Sequence, residues 1–157
     1  MTFKTLTFFQ TFNAMRIFLS MQYDKDQSDH IGTICGALNL WKKNFDWKEN
    51  PDTFDPTAWQ DWMKAVHKAL QNLNIHQEPT KIMFNDEIAF LCLQNYIQIF
   101  YDQTPWEDIG ALLNKVKQAQ HSNPDPVWQE WLQAIDHSIN ETYELDIYFD
   151  PFTGERM

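Results

Sequence analysis

Long apolar runs, paired cysteines and basic residues are all scarce in this sequence. Residues 1–19 are apolar enough to raise the question of a signal peptide, but Gln10, Asn13 and Arg16 interrupt the run, so it predicts an amphipathic helix rather than a signal peptide or a membrane span. Cys35 and Cys92 lie in apolar helical patterns without metal-binding or redox spacing. They indicate structural thiols in a reducing compartment. We therefore expect a cytoplasmic protein that has no membrane partner.

The usual motifs of catalysis and cofactor binding are also missing. The sequence contains no Glu-x-x-His, His-Glu-x-x-His, Gly-rich phosphate loop or Gly-x-Ser-x-Gly. Its five histidines are scattered over polar helix faces and loops, which favours solvated side chains. The acidic residues Asp29, Glu107 and Asp108 fall in the first turns of predicted helices, where the helix dipole explains them without catalysis. We predict no enzyme activity, no metal and no other cofactor.

The charge is strongly negative and unevenly distributed. The sequence has 12 basic and 22 acidic residues, which give a net charge of −10. Residues 79–157 carry a balance of −9, from thirteen acidic and four basic side chains. Such a field disfavours nucleic acid and anionic membranes as partners and accelerates encounters with a basic protein. The alternative is that the acidity serves only solubility.

Helix start signals occur twice in the same order. The first half offers a start near Thr5 or Thr7, a cap at Ser28 and the pair Asp55-Pro56, whose Asp caps and whose Pro suits the first helical turn. The second half offers three further signals. They are a cap at Asn85, a capping box formed by Thr104-Pro105 and Glu107, and the pair Asp125-Pro126.

Two blocks of sequence align between the halves. Trp59–Val66 matches Trp128–Ile135. Phe12, Tyr23-Asp24 and Ile31-Gly32 match Phe90, Tyr101-Asp102 and Ile109-Gly110 at one constant offset. The order predicts internal duplication. We expect one all-α domain over residues 1–157, with six helices in two diverged three-helix repeats (about 5–74 and 83–140) and an acidic tail (141–157). Alternating hydrophobicity over residues 143–149 allows a short C-terminal strand.

The matched residues have plain structural uses. Gly32 and Gly110 lie one turn into short helices, where a missing side chain permits close packing that must offset the low helix propensity of glycine. Trp59/Trp62 and Trp128/Trp131 are spaced i, i+3, so each pair shares a helix face and is expected in the core. For Trp41, Trp47 and Trp106, an interface and a core position remain equally open.

The first half resembles a bacterial family. The residues that carry the resemblance are Asn13-Ala14-Met15, Phe18-Leu19, Tyr23-Asp24, Ser28-Asp29-His30-Ile31-Gly32 and Asp55–Trp62. This pattern is similar to small helical proteins encoded beside polymorphic toxins, including immunity proteins of contact-dependent growth inhibition systems. The second half fits only as the diverged repeat, and the tail is not covered. The resemblance implies an immunity protein that binds and neutralises a cognate toxin domain.

Charge and resemblance together suggest a basic toxin, such as a nuclease, and an acidic binding surface. The alternatives are an adaptor or scaffold with a different protein partner and, with less support, a carboxylate-based enzyme. The oligomeric state stays open. The candidate partner-binding residues are Asp102, Glu107, Asp108, Glu130, Asp136, Glu141, Glu144, Asp146, Asp150, Trp41 and Trp47.

Overall fold

The computed structural model describes residues 4–38, 55–121 and 124–141. Within these ranges the chain is mostly helical, which confirms the all-α prediction. The predicted strand over residues 143–149 lies outside the described residues. The helices are α1 (Phe8–Asp26), α2 (Asp29–Ala37), α3 (Pro56–Asn72), α4 (Asp86–Gln103), α5 (Glu107–Gln118) and α6 (Pro126–Asn140).

Five helices begin beside a side chain that accepts a backbone N–H of the first turn. These N-caps are Thr7, Ser28, Asp55, Asn85 and Asp125, all at or near predicted starts. A capping side chain satisfies a donor that has no partner inside the helix. Local chemistry therefore determines where these helices begin.

The predicted capping box at Thr104 is wrong. The backbone N–H of Thr104 donates to the Phe100 carbonyl, so Thr104 closes α4 instead of opening α5. The N-cap of α5 is Trp106, whose side chain makes no capping hydrogen bond. Glu107 is then the first helical residue, two positions too early to reach back as the fourth member of a capping box.

Two short strands that the sequence analysis did not predict hold the starts of α1 and α4 together. Strand β1 (Thr5–Leu6) pairs antiparallel with β2 (Phe84–Asn85), with Leu6 opposite Phe84. Both side chains are fully buried. Leu6 and Phe84 are also related by the constant offset of the sequence alignment, so equivalent residues of the two halves meet each other.

The long helices pack across the two halves. Helix α3 of the first half packs chiefly against α4 of the second, and α6 of the second half packs against α1 of the first. One hydrogen bond links each pair of helices. The Ser138 hydroxyl of α6 donates to the Gln10 carbonyl of α1, and the Asn95 amide of α4 donates to the Ala65 carbonyl of α3. The third helix of each half is thus stabilised mainly by the other half.

Matched aromatic contacts fill the core. The Phe12 and Trp59 rings lie 5.1 Å apart at 81°, and the Phe90 and Trp128 rings lie 5.2 Å apart at 82°. Trp62 and Trp131 are fully buried against the same two phenylalanines. The structure confirms the core positions of these buried tryptophans, with Trp59 partly buried. The paired geometry is what two related units would show, while duplication itself stays a prediction.

Candidate functional site

A polar tertiary junction forms where α2 and α5 begin. Helix α1 turns into α2 and α4 turns into α5, and the two helix starts contact each other. In each turn a tyrosine of the first helix covers a glycine of the second. A Cβ atom on Gly32 would lie 2.9 Å from Tyr23 Cε2, and one on Gly110 would lie 2.9 Å from Tyr101 Cε2. Glycine therefore lets each turn close tightly.

One carboxylate links the two helix starts. The Ser28 hydroxyl donates to Asp108 Oδ2, and His30 Nδ1 lies 2.7 Å from Asp108 Oδ1. The His30 ring also stacks on Trp106, with centroids 3.8 Å apart and an interplanar angle of 12°. The prediction of a solvated histidine holds only in part for His30, because its side chain is 39% exposed but its ring contacts a carboxylate and an indole.

The electrostatics of Asp108 favour its charged form. Partial burial alone would raise the pKa of this carboxyl group. Hydrogen bonds from Ser28 and His30, the charge of His30 and the backbone N–H of Ile109 outweigh that effect and hold the pKa below its ordinary value. Asp108 is thus stabilised as an anion at the junction.

This arrangement is a structural link and does not resemble a nucleophilic site. In an activated serine the hydroxyl donates to the base, which is in turn oriented by a carboxylate. Here Ser28 and His30 each contact a different oxygen of the same carboxylate, and Ser28 also caps α2 by accepting the Ile31 N–H. Asp108 therefore ties the histidine and the serine in place.

Acidic residues from both halves surround this junction. They lie at the ends of α1 and α4 and in the first turns of α2 and α5. Lys115 Nζ lies 3.8 Å from Asp26 Oδ2. Lys25, which precedes Asp26 in α1, forms its ion pair with Glu130 of α6 instead. We call this surface the acidic end, and its members are Asp24, Asp26, Asp29, Asp102, Glu107 and Asp108.

The structure groups three of the predicted binding residues at the acidic end. Asp102 and Glu107 are exposed there, and Asp108 is 31% exposed. Glu130 lies beside it on α6, 20% exposed, where it accepts hydrogen bonds from Gln22 and Lys25. Two of these four carboxylates, those of Asp108 and Glu130, already have cationic or potentially cationic partners within the chain.

Other predicted residues do not join this group. Asp136 forms an ion pair with Lys4, near the start of α1 and thus at its opposite end. Glu141 is exposed just after α6. Glu144, Asp146, Asp150, Trp41 and Trp47 lie outside the described residues. The acidic half of the sequence is therefore not one continuous acidic face.

Sequence reasoning missed the contribution of the first half. Asp24 and Asp29 lie in residues 1–43, which carry five basic and three acidic side chains and thus a charge balance of +2, so neither was selected as a candidate. The alignment did contain the signal, because it placed Tyr23-Asp24 on Tyr101-Asp102. The alignment did not show that the turn between α1 and α2 contacts the turn between α4 and α5.

A second histidine also stacks on a tryptophan. The His121 ring lies 4.3 Å from that of Trp128 at an interplanar angle of 13°, and His121 Nδ1 is 4.0 Å from a Glu87 oxygen. Among the described side chains, no three His, Cys, Asp or Glu residues are arranged to hold a metal ion. In the same part of the chain, no helix combines the length and apolar character needed to cross a bilayer.

Comparisons with known protein families, with curated proteins and with solved structures found no match for this chain.

Proposed function

We propose that this protein is an immunity protein that binds a basic cognate toxin domain through its acidic end and neutralises it in the bacterial cytoplasm. The observation that carries the proposal is the contact between the two helix turns, which groups acidic residues of both halves on one surface. The resemblance of the first half to immunity proteins supports the same role.

The acidic end suits recognition of a basic protein. Acidic residues at its rim accelerate diffusional encounter, and carboxylates that become desolvated in the complex stabilise it once formed. The stacked His30 and Trp106 rings lie beside Asp108 and are partly exposed, so they offer an aromatic surface, the kind of group that dominates binding energy at interfaces. Inhibition then follows from occupancy of the toxin surface and requires no chemistry.

Charge reversal at the two matched helix starts tests the proposal. We expect the double variant Asp29→Lys/Glu107→Lys to associate with the toxin about tenfold more slowly at low salt, because both exposed charges face the approaching basic surface. Stopped-flow association rates over a salt series measure this effect. Growth of cells that co-produce the toxin measures protection.

The matched control is Glu78→Lys/Glu87→Lys, which reverses two exposed charges. Glu87 lies in the first turn of α4, at the end opposite to Asp102, and Glu78 lies eight residues before α4. We expect it to associate at nearly the wild-type rate. Circular dichroism checks that both variants are folded. Equal rates and equal salt dependence for the two double variants would show that the acidic end does not recognise the toxin. The toxin itself is obtained by co-purification from the native host, and failure of the wild-type protein to block its toxicity would refute the proposed function.

A further inference from the structure

Asp61 is a buried carboxylate with few partners. The residue is 5% exposed, and no hydrogen bond reaches its Oδ1 atom from the described chain. Its Oδ2 atom accepts one long hydrogen bond, 3.4 Å from Gln103 Nε2. Lys64 Nζ lies 3.9 Å from Oδ1, beyond hydrogen-bond distance, on a side chain that is 70% exposed. A buried carboxylate with so little compensation is costly, because it has lost its water shell.

The equivalent position in the second half shows what Asp61 lacks. Glu130 aligns with Asp61 between the two tryptophans of its block. Its oxygens lie 3.2 and 3.3 Å from Lys25 Nζ, and Gln22 donates a further hydrogen bond at 3.0 Å. Gln103 occupies the place of Lys25 at the constant offset of the alignment. Asp61 therefore accepts its hydrogen bond from a neutral amide, whereas Glu130 accepts hydrogen bonds from an ammonium group.

From this comparison we infer that Asp61 binds an arginine side chain of the partner protein, whose guanidinium displaces the weakly held Gln103 amide and supplies the positive charge that Lys25 supplies to Glu130. Gln103 follows Asp102 at the end of α4, so this site adjoins the acidic end. An arginine fits better than a lysine because its planar guanidinium can donate at the same time to Oδ1, which accepts no hydrogen bond within the described residues, and to the weakly held Oδ2. The identity of the occupant as a partner residue rests on the function proposed above.

The site can be tested without the toxin. The probe is N-acetyl-arginine methylamide, and its neutral analogue N-acetyl-citrulline methylamide is the control. In ¹⁵N NMR titrations of the full chain we expect the arginine probe to shift the Gln103 side-chain amide and the Asp61 backbone signals, while citrulline does not. Asp61→Asn should weaken probe binding at least tenfold, as for other hydrogen bonds between charged groups.

Two reciprocal variants use the second half as a template. Gln103→Lys gives Asp61 its own cation, so the probe should no longer bind there. Lys25→Gln removes the cation beside Glu130, so a second set of shifts should appear at Gln22. Both changes are at exposed positions, and they keep the inference testable even if Asp61→Asn fails to fold. Probe binding that is unchanged in Gln103→Lys, or equal binding of citrulline, would overturn the inference.

The outcomes separate this inference from the proposed function. If Asp29→Lys/Glu107→Lys no longer protects cells while the arginine probe causes no shifts at Asp61 or Gln103, the proposed function is supported and the arginine site is refuted. If the probe binds at Asp61 but folded Asp61→Asn still binds the toxin with unchanged affinity, the assignment to a partner arginine is refuted. Loss of both probe binding and toxin binding in Asp61→Asn, with Glu78→Lys unaffected, supports the inference.

Discussion

Gly32 and Gly110 lie one turn inside their helices, each beneath the ring of a tyrosine. The spacing predicted a close approach at both positions, but the neighbour proves to be a side chain from the preceding helix. A Cβ atom at 2.9 Å from a ring carbon is closer than the 3.5–4.0 Å at which carbon atoms normally rest. Gly36 of α2 has open space where its Cβ would be, so it offers an internal comparison.

Alanine substitution should therefore have opposite effects at these glycines. We expect Gly32→Ala and Gly110→Ala to lower the free energy of unfolding by about 1–3 kcal/mol, because the tyrosine ring must move. Gly36→Ala should raise it by up to about 1 kcal/mol through helix propensity. Urea denaturation followed by circular dichroism measures all three. The same sign of change at all three positions would contradict the close contact with tyrosine.

Equivalent tryptophans also differ in detail. The Trp131 indole N–H donates to the Asp86 carbonyl at 3.0 Å, whereas the buried Trp62 indole N–H has no partner within the described residues. The sequence alignment makes these two residues identical. Whether an indole finds an acceptor depends on a backbone carbonyl of another helix, which no local pattern specifies.

At the scale of elements, α2 and α5 are held together through the Asp108 carboxylate. Its pKa is lower in the folded protein than the ordinary value of 3.8, so ionised Asp108 stabilises the folded state. For a carboxylate with a lowered pKa, this stabilisation is complete above the unfolded-state value and disappears as the pH falls through the folded-state value. The junction should therefore weaken below about pH 4.

Replacement of Asp108 tests this linkage. We expect Asp108→Asn to be less stable than wild type at neutral pH, with the difference shrinking as the pH falls below about 4. Denaturant titrations from pH 7 to pH 2.5 give the free energy of unfolding at each pH. Glu107→Gln is the matched control, since Glu107 is the preceding residue of the same helical turn and is exposed. A constant difference between Asp108→Asn and wild type over this range would show that the junction does not stabilise the fold.

At the scale of the whole molecule, the two halves depend on each other. Because α3 packs chiefly against α4 and α6 against α1, most of the surface that covers the third helix of each half belongs to the other half. The β1–β2 pair adds a further connection between the halves. The sequence-based division into repeats predicts that the halves are related, and the observed packing does not make them independent folding units.

Separate production of the halves tests this dependence. We expect residues 1–78 and 79–157, produced separately, to show reduced helix content and no cooperative thermal unfolding as monomers, because each lacks the partner helix for α3 or α6. Circular dichroism and sedimentation measure both properties. Mixing the halves should restore helix content. A half-chain that unfolds cooperatively as a monomer would contradict the exchanged packing.

The sequence by itself determined where most helices begin and that Trp62, Trp128 and Trp131 lie in the core. Five N-caps act on backbone groups two or three residues away, so their effect is local and readable, and the i, i+3 spacing of tryptophans follows from helix geometry. The start of α5 was misplaced because Thr104 can end one helix as well as begin another. Only the neighbouring backbone decides between these two roles.

Only the tertiary structure decided which charges meet. Asp29 and Glu107 are far apart in the sequence, and Asp29 lies in a segment of net positive charge while Glu107 lies in a segment of net negative charge. They nevertheless flank one junction because α2 and α5 are in contact. Asp136 was grouped with them by its position in the acidic half and lies at the other end of α1. Asp61 could be recognised as a candidate site only from its contact with Gln103, which differs from the contact of the aligned Glu130 with Lys25. Contacts of this kind depend on how whole helices pack, and hydrophobic periodicity and capping do not specify that packing.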